Sequence, residues 1–514
     1  MARTFNTTGP CLPGVHYMLP PERRATQVRE LIEQGLFFVI HAPRQTGKTT
    51  LLNTLARTLN QEGRFAAVVT SVEFLRRAAD VAEANREIVR SVLEDSRKFL
   101  PAAEQAPDPR DFTQDALRAL NNYLSAWSAA CPKPIALFID EIDSLPEDLL
   151  LNVLGQLRMG YTARPAAFVH SLALVGVRDV LDYRARLRPD DESMGTASPF
   201  NVKSDSLTLR NFSHEEVAEL YAQHTADTGQ VFHPEAVDRA FEQTQGQPWL
   251  VNAIAREIVR NAVPDRSQPI TAAHVDAARE ALILRRDTHL DSLVDKLREE
   301  RVRRVIEPIL AGEVLASDVL NDDLMYVRDL GLVRTEPSVR IANPIYQEII
   351  PRSLTYVLQR TMSAEASWYT RPDGSLDMRA LLRAFQEFFA EHSEAWLERY
   401  DYKEAGPHLI LMAFLQRVVN GGGQIQREMA IGSGRVDLVV GWRGYRYAIE
   451  LKVRRGERTL GQGIQQLSAY LARLGLDEGY LVLFDRRADV RWEEKLYERE
   501  VEGVGGKRIV VFGA

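Results

Sequence analysis

The chain has 514 residues, 45% of them hydrophobic and 26% charged, and a formal net charge of −7. That length predicts roughly three to four units of about 100–200 residues, and the acidic balance excludes global attraction to nucleic acid, so any such binding needs local basic patches. Two cysteines, Cys11 and Cys131, exclude a Cys-rich zinc module and argue against a disulfide framework; no run approaches the ~18 apolar residues of a membrane helix, so a cytoplasmic protein without a signal segment is expected.

In chain order, LFFVIH (36–41) is a short buried-strand run, followed by a helical pattern from Thr49 to about Leu59. FAAVVTSVEF (65–74) is strand-like, and helices are predicted over about 75–98 and 111–130. PIALFID (134–140) and AFVHSLALVGV (167–177) are two more buried strands, and SLTLRNF (206–212) could close the same sheet. Strands alternating with helices imply a parallel sheet covered on both faces. From Ser213 to about Glu280 the pattern is helical, opened by Ser213 and Glu216 at capping-box spacing and punctuated by Gly246 and Pro248. Residues 288–360 read as short helices followed by a small hairpin, LGLVRTEPSVRIANP, an order that suits a winged helix. Residues 361–400 read as a helical connector, and a second α/β unit begins at about 401 with HLILMAFLQRVV, then GGG, then strand-like runs and a helix.

HAPRQTGKTT (41–50) lies between a predicted strand and a predicted helix, the context in which a Gly-rich phosphate loop works. Gly47, Lys48 and Thr49 meet the pattern G-x-x-x-x-G-K-[ST], with Ala42 in place of the first glycine. The backbone N–H groups from Ala42 through Pro43, Arg44, Gln45, Thr46 and Gly47 to Thr50 would border the phosphates of ATP, proline excepted as a donor. Lys48 would reach the β and γ phosphates and Thr49 would ligate Mg²⁺. ALFIDEIDSL (136–145) runs four apolar residues into Asp140 and Glu141 at a strand's carboxyl end, where ligands of open α/β sheets bind. Asp140 would hold Mg²⁺ and Glu141 would polarise the attacking water. An acidic helix cap is the structural alternative, and it suits Asp143 or Ser144 better than Asp140.

These residues together resemble the P-loop ATPases of the AAA-like and STAND group. LALVGVRD (172–179) is similar to that family's fourth strand, where a polar residue senses the γ-phosphate, and Arg178 is the candidate. GQPWLVN (246–252) resembles the G-x-P signature in the helical lid of STAND-type and archaeal-type ATPases, and RIANPIYQEII (340–350) resembles the winged helix that follows it. The leader FNTTGPCLPGVHYMLPPERR looks like a segment packed beside the nucleotide, where His16, Tyr17 and Pro20 either border the base or serve packing alone. Arg44 is either a phosphate or neighbour-subunit contact or a solvated loop residue. The resemblance implies an AAA-like core over 1–212, a helical lid over 213–287 and a winged helix over 288–360.

AIELK (448–452) puts Glu450 and Lys452 two apart on a strand, hence on one face. Asp437 stands thirteen residues before Glu450, in GSGRVDLVVGWRGYRYAIELKV, and a hairpin turning at WRGY can bring the two acids together. Paired carboxylates repel without a cation, and a divalent metal held by Asp437 and Glu450 would remove that cost. Lys452 would then place or deprotonate a water and stabilise developing charge. A surface ion pair on an edge strand is the alternative. The arrangement resembles the PD-(D/E)xK nuclease superfamily, with Val436 where the family name has proline. GIQQLSAYLARL (463–474) supplies Gln466 and Tyr470, which resemble the Q-x-x-x-Y motif of the RecB-like branch. Glu404 is the candidate fourth acid, and Arg454, Arg455 and Arg458 form a basic run that is either a solvated loop or a phosphate-backbone contact.

The expected fold is α/β multidomain: a P-loop NTPase parallel sheet with helical lid and winged helix, then a restriction-endonuclease-like α/β domain over 401–514. The leading expectation is an ATPase that controls a deoxyribonuclease, with Mg²⁺ at both sites, or Mn²⁺ at the nuclease site, DNA as partner, and homo-oligomerisation as part of the switch. By resemblance such fusions belong to mobile elements or antiviral defence. An ATP-dependent switch whose nuclease-like domain only binds nucleic acid or protein is the second reading, and an ATP-driven DNA motor is the third.

Overall fold

The computed structural model describes residues 3–112, 115–164, 167–178, 203–285, 295–310, 315, 321–354, 369–397, 410–412, 414–415, 423–431, 434–454, 458–485, 487 and 490–514. The chain divides into two compact units, one of Met1–His289 with Met325–Val333 and Ala342–Pro344, the other of Leu290–Leu324, Arg334–Ile341 and Ile345–Ala514.

The first unit is built on five strands, β1 (Phe37–His41), β2 (Ala66–Ser71), β3 (Ile135–Asp140), β4 (Ser171–Gly176) and β5 (Lys203–Thr208), in the order β2-β3-β4-β1-β5. Every neighbouring pair is parallel. The sheet is closed beside β1 by β5, which shares only 206–208 with the run predicted at 206–212 and begins three residues earlier. Continuous apolar runs fit because both faces are covered. Phe37, Val39, Leu137, Ile139, Leu172 and Leu174 enter one core. Their alternates Phe38, Ile40, Ala136, Phe138, Ala173 and Val175 enter the other. Helices α1 (Val28–Glu33) and α2 (Lys48–Glu62) cover the second face, and α3 (Val81–Phe99), α4 (Ala119–Ala130) and α5 (Glu147–Tyr161) cover the first.

A helical bundle follows: α6 (His214–Thr228), α7 (Pro234–Thr244), α8 (Pro248–Glu257) and α9 (Ala272–Arg285). The capping box forms as its spacing predicts, Ser213 accepting from the Glu216 N–H and Glu216 accepting from the Ser213 N–H. Gly246 adopts φ +71, and a Cβ there would lie 2.0 Å from the Phe212 carbonyl oxygen, so only glycine lets the α7–α8 turn meet the core. Pro248 is at the start of α8, where its missing N–H costs nothing. Next come α10 (Glu300–Leu310), α11 (Asp322–Asp329), β6 (Val333–Arg334) and β7 (Arg340–Ile341), helices and then a hairpin as expected, with a further helix, α12 (Pro344–Leu354), after it.

In the second unit, six strands, β8 (Gly423–Ile431), β9 (Gly434–Trp442), β10 (Tyr445–Val453), β11 (Glu478–Phe484), β12 (Tyr497–Glu502) and β13 (Arg508–Gly513), form a mixed sheet in the order β12-β13-β11-β10-β9-β8. Helix α13 (Met378–Leu397) and residues 410–412 and 414–415 pack one face through Leu381, Phe385, Ile410 and Leu411 against Ile449, Leu451, Val482 and Phe512. Helix α14 (Arg458–Leu474) packs the other through Leu467 and Leu471 against Val439, Ala448 and Leu481; a short α15 (Trp492–Lys495) precedes β12. The reading of 361–400 as a connector is corrected in part. Tyr369, Leu376, Met378, Leu382 and Phe389 are buried in this core, so the described part of that segment is a structural layer of the C-terminal domain. Its amphipathic spacing reads equally as a linker helix, and the apolar face of the sheet, from Leu438 to Phe512, gives it a partner.

Candidate functional site

The loop between β1 and α2 is wound on itself. Gln45 and Gly47 take left-handed backbone conformations, φ 58 and +94, while Ala42 does not, so replacing the first motif glycine costs no strain. Thr46 Oγ1 donates to the Pro43 carbonyl at 2.7 Å. The buried Lys48 ammonium donates to the Ala42 and Pro43 carbonyls at 2.8 and 3.1 Å. Thr49 Oγ1 donates to Asp140 Oδ2 at 2.7 Å, across from the end of β3. Burial pushes the Lys48 amine down, against the pull of Glu141 and Asp140. It pushes the Asp140 carboxyl up against its bond from Thr49, and raises Glu141 with help from Asp143. Beside these groups lies a cavity of about 340 Å³, lined among others by Arg44, Gly47, Lys48, Thr49, Thr50 and Glu141, with Tyr17 and Cys11 of the leader and Trp249 and Asn252 of α8. Volume, phosphate-loop backbone and apolar rim suit a nucleotide.

Residues 22–162 match the model of the AAA ATPase domain. This segment is an AAA-like P-loop ATPase domain. Such a domain implies nucleotide binding, usually with Mg²⁺. No curated protein matches the chain. Among solved structures, the chain is similar to the Walker-type ATPase PABY2304 of Pyrococcus abyssi at 15% identity, covering 67% of this chain and 99% of that one, with TM-score 0.49. It is similar to Cdc6p from Pyrobaculum aerophilum at 18% identity, with coverages of 68% and 97% and TM-score 0.36. It is also similar to the Thermotoga maritima RuvB Holliday junction branch migration motor at 14% identity, with coverages of 64% and 92% and TM-score 0.33. All three scores lie below 0.5 and carry no argument about function.

Within the AAA-like ATPase domain and its flanks, Arg178 is turned away from its expected role. It is buried at the end of β4, its Nε 3.7 Å from Asp329 Oδ2 and its guanidinium 5.0 Å from the Tyr326 ring centre, and it does not line the cavity. The opposite charge of Asp329 accounts for that orientation. Tyr17 lines the cavity, whereas His16 accepts from the Leu12 N–H at 2.9 Å through Nδ1. Arg44 is exposed at the rim. Sequence reasoning missed Arg24. Its buried guanidinium donates to the Thr46 carbonyl at 2.8 Å and the Arg210 carbonyl at 3.1 Å and lies over Phe212, and burial lowers its pKa to about 10. It ties the phosphate loop to the segment after β5, a contact that no motif spacing encodes. Cys11 is a second miss: its N–H donates to Thr50 Oγ1 at 3.0 Å.

The C-terminal cluster stands on one sheet face. Antiparallel pairing of β9 and β10 runs to Leu438 opposite Ile449, and one further step sets Asp437 opposite Glu450. Leu438, Ile449 and Leu451 face α13, whereas Val439 and Ala448 face α14. Strand alternation therefore turns Asp437, Glu450 and Lys452 together toward α14. The ladder gives way there: the Leu451 N–H donates to Asp437 Oδ2 at 2.8 Å. The Lys452 ammonium donates to Glu450 Oε1 at 2.7 Å, while Glu450 Oε2 is buried without a hydrogen-bond partner among the described residues. Burial, and then the Asp437 charge, push the Glu450 carboxyl up to about 7 despite Lys452. Burial works to lower Lys452, but Glu450 and Asp437 outweigh it and hold the amine above its ordinary value. Gly463 lets α14 approach: a Cβ there would come 3.3 Å from Lys452 Cγ.

Tyr470 is buried on α14, but Gln466 one turn earlier is exposed and bonds to nothing among the described residues. Spacing alone puts both on one face, but only Tyr470 lies where α14 packs against the sheet. Arg454 pairs with Asp485 at 3.4 Å, and Arg458 is exposed at the start of α14. Glu404 and Arg455 lie outside the described residues. No described helix is long and apolar enough to cross a membrane.

Proposed function

We propose that the chain binds and hydrolyses ATP at the phosphate loop and that this controls a metal-dependent nuclease of the PD-(D/E)xK type in its C-terminal domain, acting on DNA. One observation carries the nuclease reading: Asp437, Glu450 and Lys452 share one sheet face, and Glu450 holds the Lys452 amine while keeping a buried, unpartnered oxygen. Two acids and one amine, all ionised, leave a buried net negative charge. A divalent cation fits that deficit, and Asp437 and Glu450 would hold it, whether Mg²⁺ or Mn²⁺. Bound there, the ion would polarise a phosphodiester and activate a water. Lys452, fixed by Glu450, would offer its remaining protons to the developing charge on phosphate. Tyr470 buttresses the amine and Gln466 is left free to meet substrate.

At the nucleotide site, Lys48 exchanges its carbonyl partners for phosphate, and Thr49 and Asp140, already in contact, would hold Mg²⁺, which neutralises phosphate charge. Glu141 orients the attacking water. Ala42 through Thr50 line the phosphate path, and Arg178 would act as sensor only after leaving Asp329. The helical bundle over 213–287 serves as lid, 288–360 as a winged helix that moves with it, and assembly into a homo-oligomer is part of the switch.

The experiment is cleavage of supercoiled and linear DNA with Mg²⁺ or Mn²⁺, with and without ATP. Cutting that Lys452→Ala abolishes while ATP hydrolysis persists supports the reading. DNA binding without cutting under every metal moves the C-terminal domain to a binding role under nucleotide control. A defence role predicts lower phage plating on cells that carry the intact chain than on cells carrying Lys452→Ala.

A further inference from the structure

Next to the nucleotide cavity lies another, of about 360 Å³, between the N-terminal leader and the lid helices. The phosphate loop does not reach it. Its lining carries four arginines, Arg3, Arg256, Arg260 and Arg266, in a chain whose net charge is −7. Among the described residues, only Arg3 of the four has a carboxylate partner, Asp227 at 2.8 Å. The others are held by neutral groups or by none. Arg266 donates to Gln230 Oε1 at 2.8 Å and to the His224 ring at 3.0 Å, and burial lowers the His224 pKa, which keeps that ring an acceptor. Arg256 donates to Thr7 Oγ1. Arg260 bonds to nothing among the described residues.

Arg256 and Arg260 are four apart on one helix, and like charges at that spacing destabilise it. The helix also changes winding there, α8 passing into a single π turn over Ile258–Ala262, a geometry concentrated at functional sites. We propose that this cavity is a second ligand site, for a small anion bearing two or three phosphate groups, distinct from the ATP held by the phosphate loop. Three uncompensated guanidiniums match that charge, and the volume is that of a small-molecule site rather than a duplex groove. Asn6, Thr7 and Tyr17 line both cavities, so the second ligand shares a wall with the nucleotide and shifts ATP affinity reciprocally.

Inorganic tripolyphosphate is the first probe, titrated calorimetrically into the full chain carrying Lys48→Ala, which disables the phosphate loop. One bound equivalent is expected, weakened at least about tenfold by adding Arg260→Glu, an exposed and unpartnered position. ATP titrated into the same Lys48→Ala chain separates the sources: tighter binding than tripolyphosphate assigns a nucleotide, equal binding an inorganic or other polyphosphate. If Lys48→Ala does not fold, two tripolyphosphate equivalents on the wild-type chain, falling to one with Arg260→Glu, carry the same conclusion. No binding at about 1 mM probe, or binding indifferent to Arg260→Glu, overturns it. So does Arg260-dependent binding of a single-stranded oligonucleotide without any tripolyphosphate binding, which reassigns the patch to nucleic acid.

Discussion

The two acidic centres solve the same problem differently. At the end of β3, Asp140 takes a bond from Thr49, and Lys48 is occupied by loop carbonyls, so the phosphate loop is closed by its own atoms. At the β9–β10 pair, the Lys452 amine donates to one Glu450 oxygen, and the other, buried, has no hydrogen-bond partner among the described residues. The first centre must exchange bonds to admit a ligand, which suits a switch. The second is preorganised and short of positive charge, which suits a standing ion site. Burial raises both Asp140 and Glu450; the Thr49 hydroxyl and the Lys48 charge oppose the rise at Asp140, whereas at Glu450 the Asp437 charge adds to it and carries the carboxyl to about 7 despite Lys452.

The sharpest way to break that contrast is to remove each amine. Lys48→Ala is expected to weaken ATP about 100-fold or more while leaving Mg²⁺ binding at the C-terminal cluster intact, checked by nucleotide titration beside metal titration. Lys452→Ala is expected to lower DNA cleavage about 100- to 1,000-fold with ATP hydrolysis unchanged, checked by parallel assays. If either variant disables both activities, the centres are not independent.

Gly246→Ala comes next. A Cβ at 2.0 Å from the Phe212 carbonyl and φ +71 force the α7–α8 turn apart, with an expected loss of about 2–4 kcal/mol read by thermal denaturation.

Glu450→Gln sharpens the electrostatic half. The folded pKa, about 7, lies above the ordinary 4.5, so the fold favours the protonated acid. That stability is complete below about pH 4.5 and is lost as pH rises through about 7, which makes the ionised group a liability at pH 8 on the order of 3 kcal/mol. Without metal, Glu450→Gln should therefore melt higher than wild type at pH 8, and the two should converge near pH 4.5. Wild type alone should gain from added Mg²⁺. The opposite pH trend would refute the charge-deficit account. Gln466→Ala has the smallest effect, a stability change within about 0.5 kcal/mol, because the side chain is exposed and bonds to nothing among the described residues.

Much of this was legible in the chain. Apolar runs at 37–41, 135–140 and 171–176 declare strands buried on both faces, and Gly-Lys-Thr after the first of them declares the phosphate loop. The two-residue period of a strand was enough to align Glu450 with Lys452, and the hairpin length was enough to bring Asp437 beside them. Those are local properties, fixed by pleat, turn length and buried-face patterning within a few tens of residues. What needed the tertiary structure was every choice among distant partners. Arg24 bonds carbonyls 22 and 186 residues away, Arg178 turns to Asp329, and α13 becomes a core layer because a sheet face waits for it. Four arginines separated in sequence meet in one cavity for the same reason. Periodicity says which face of an element is apolar or charged; only packing decides what that face meets.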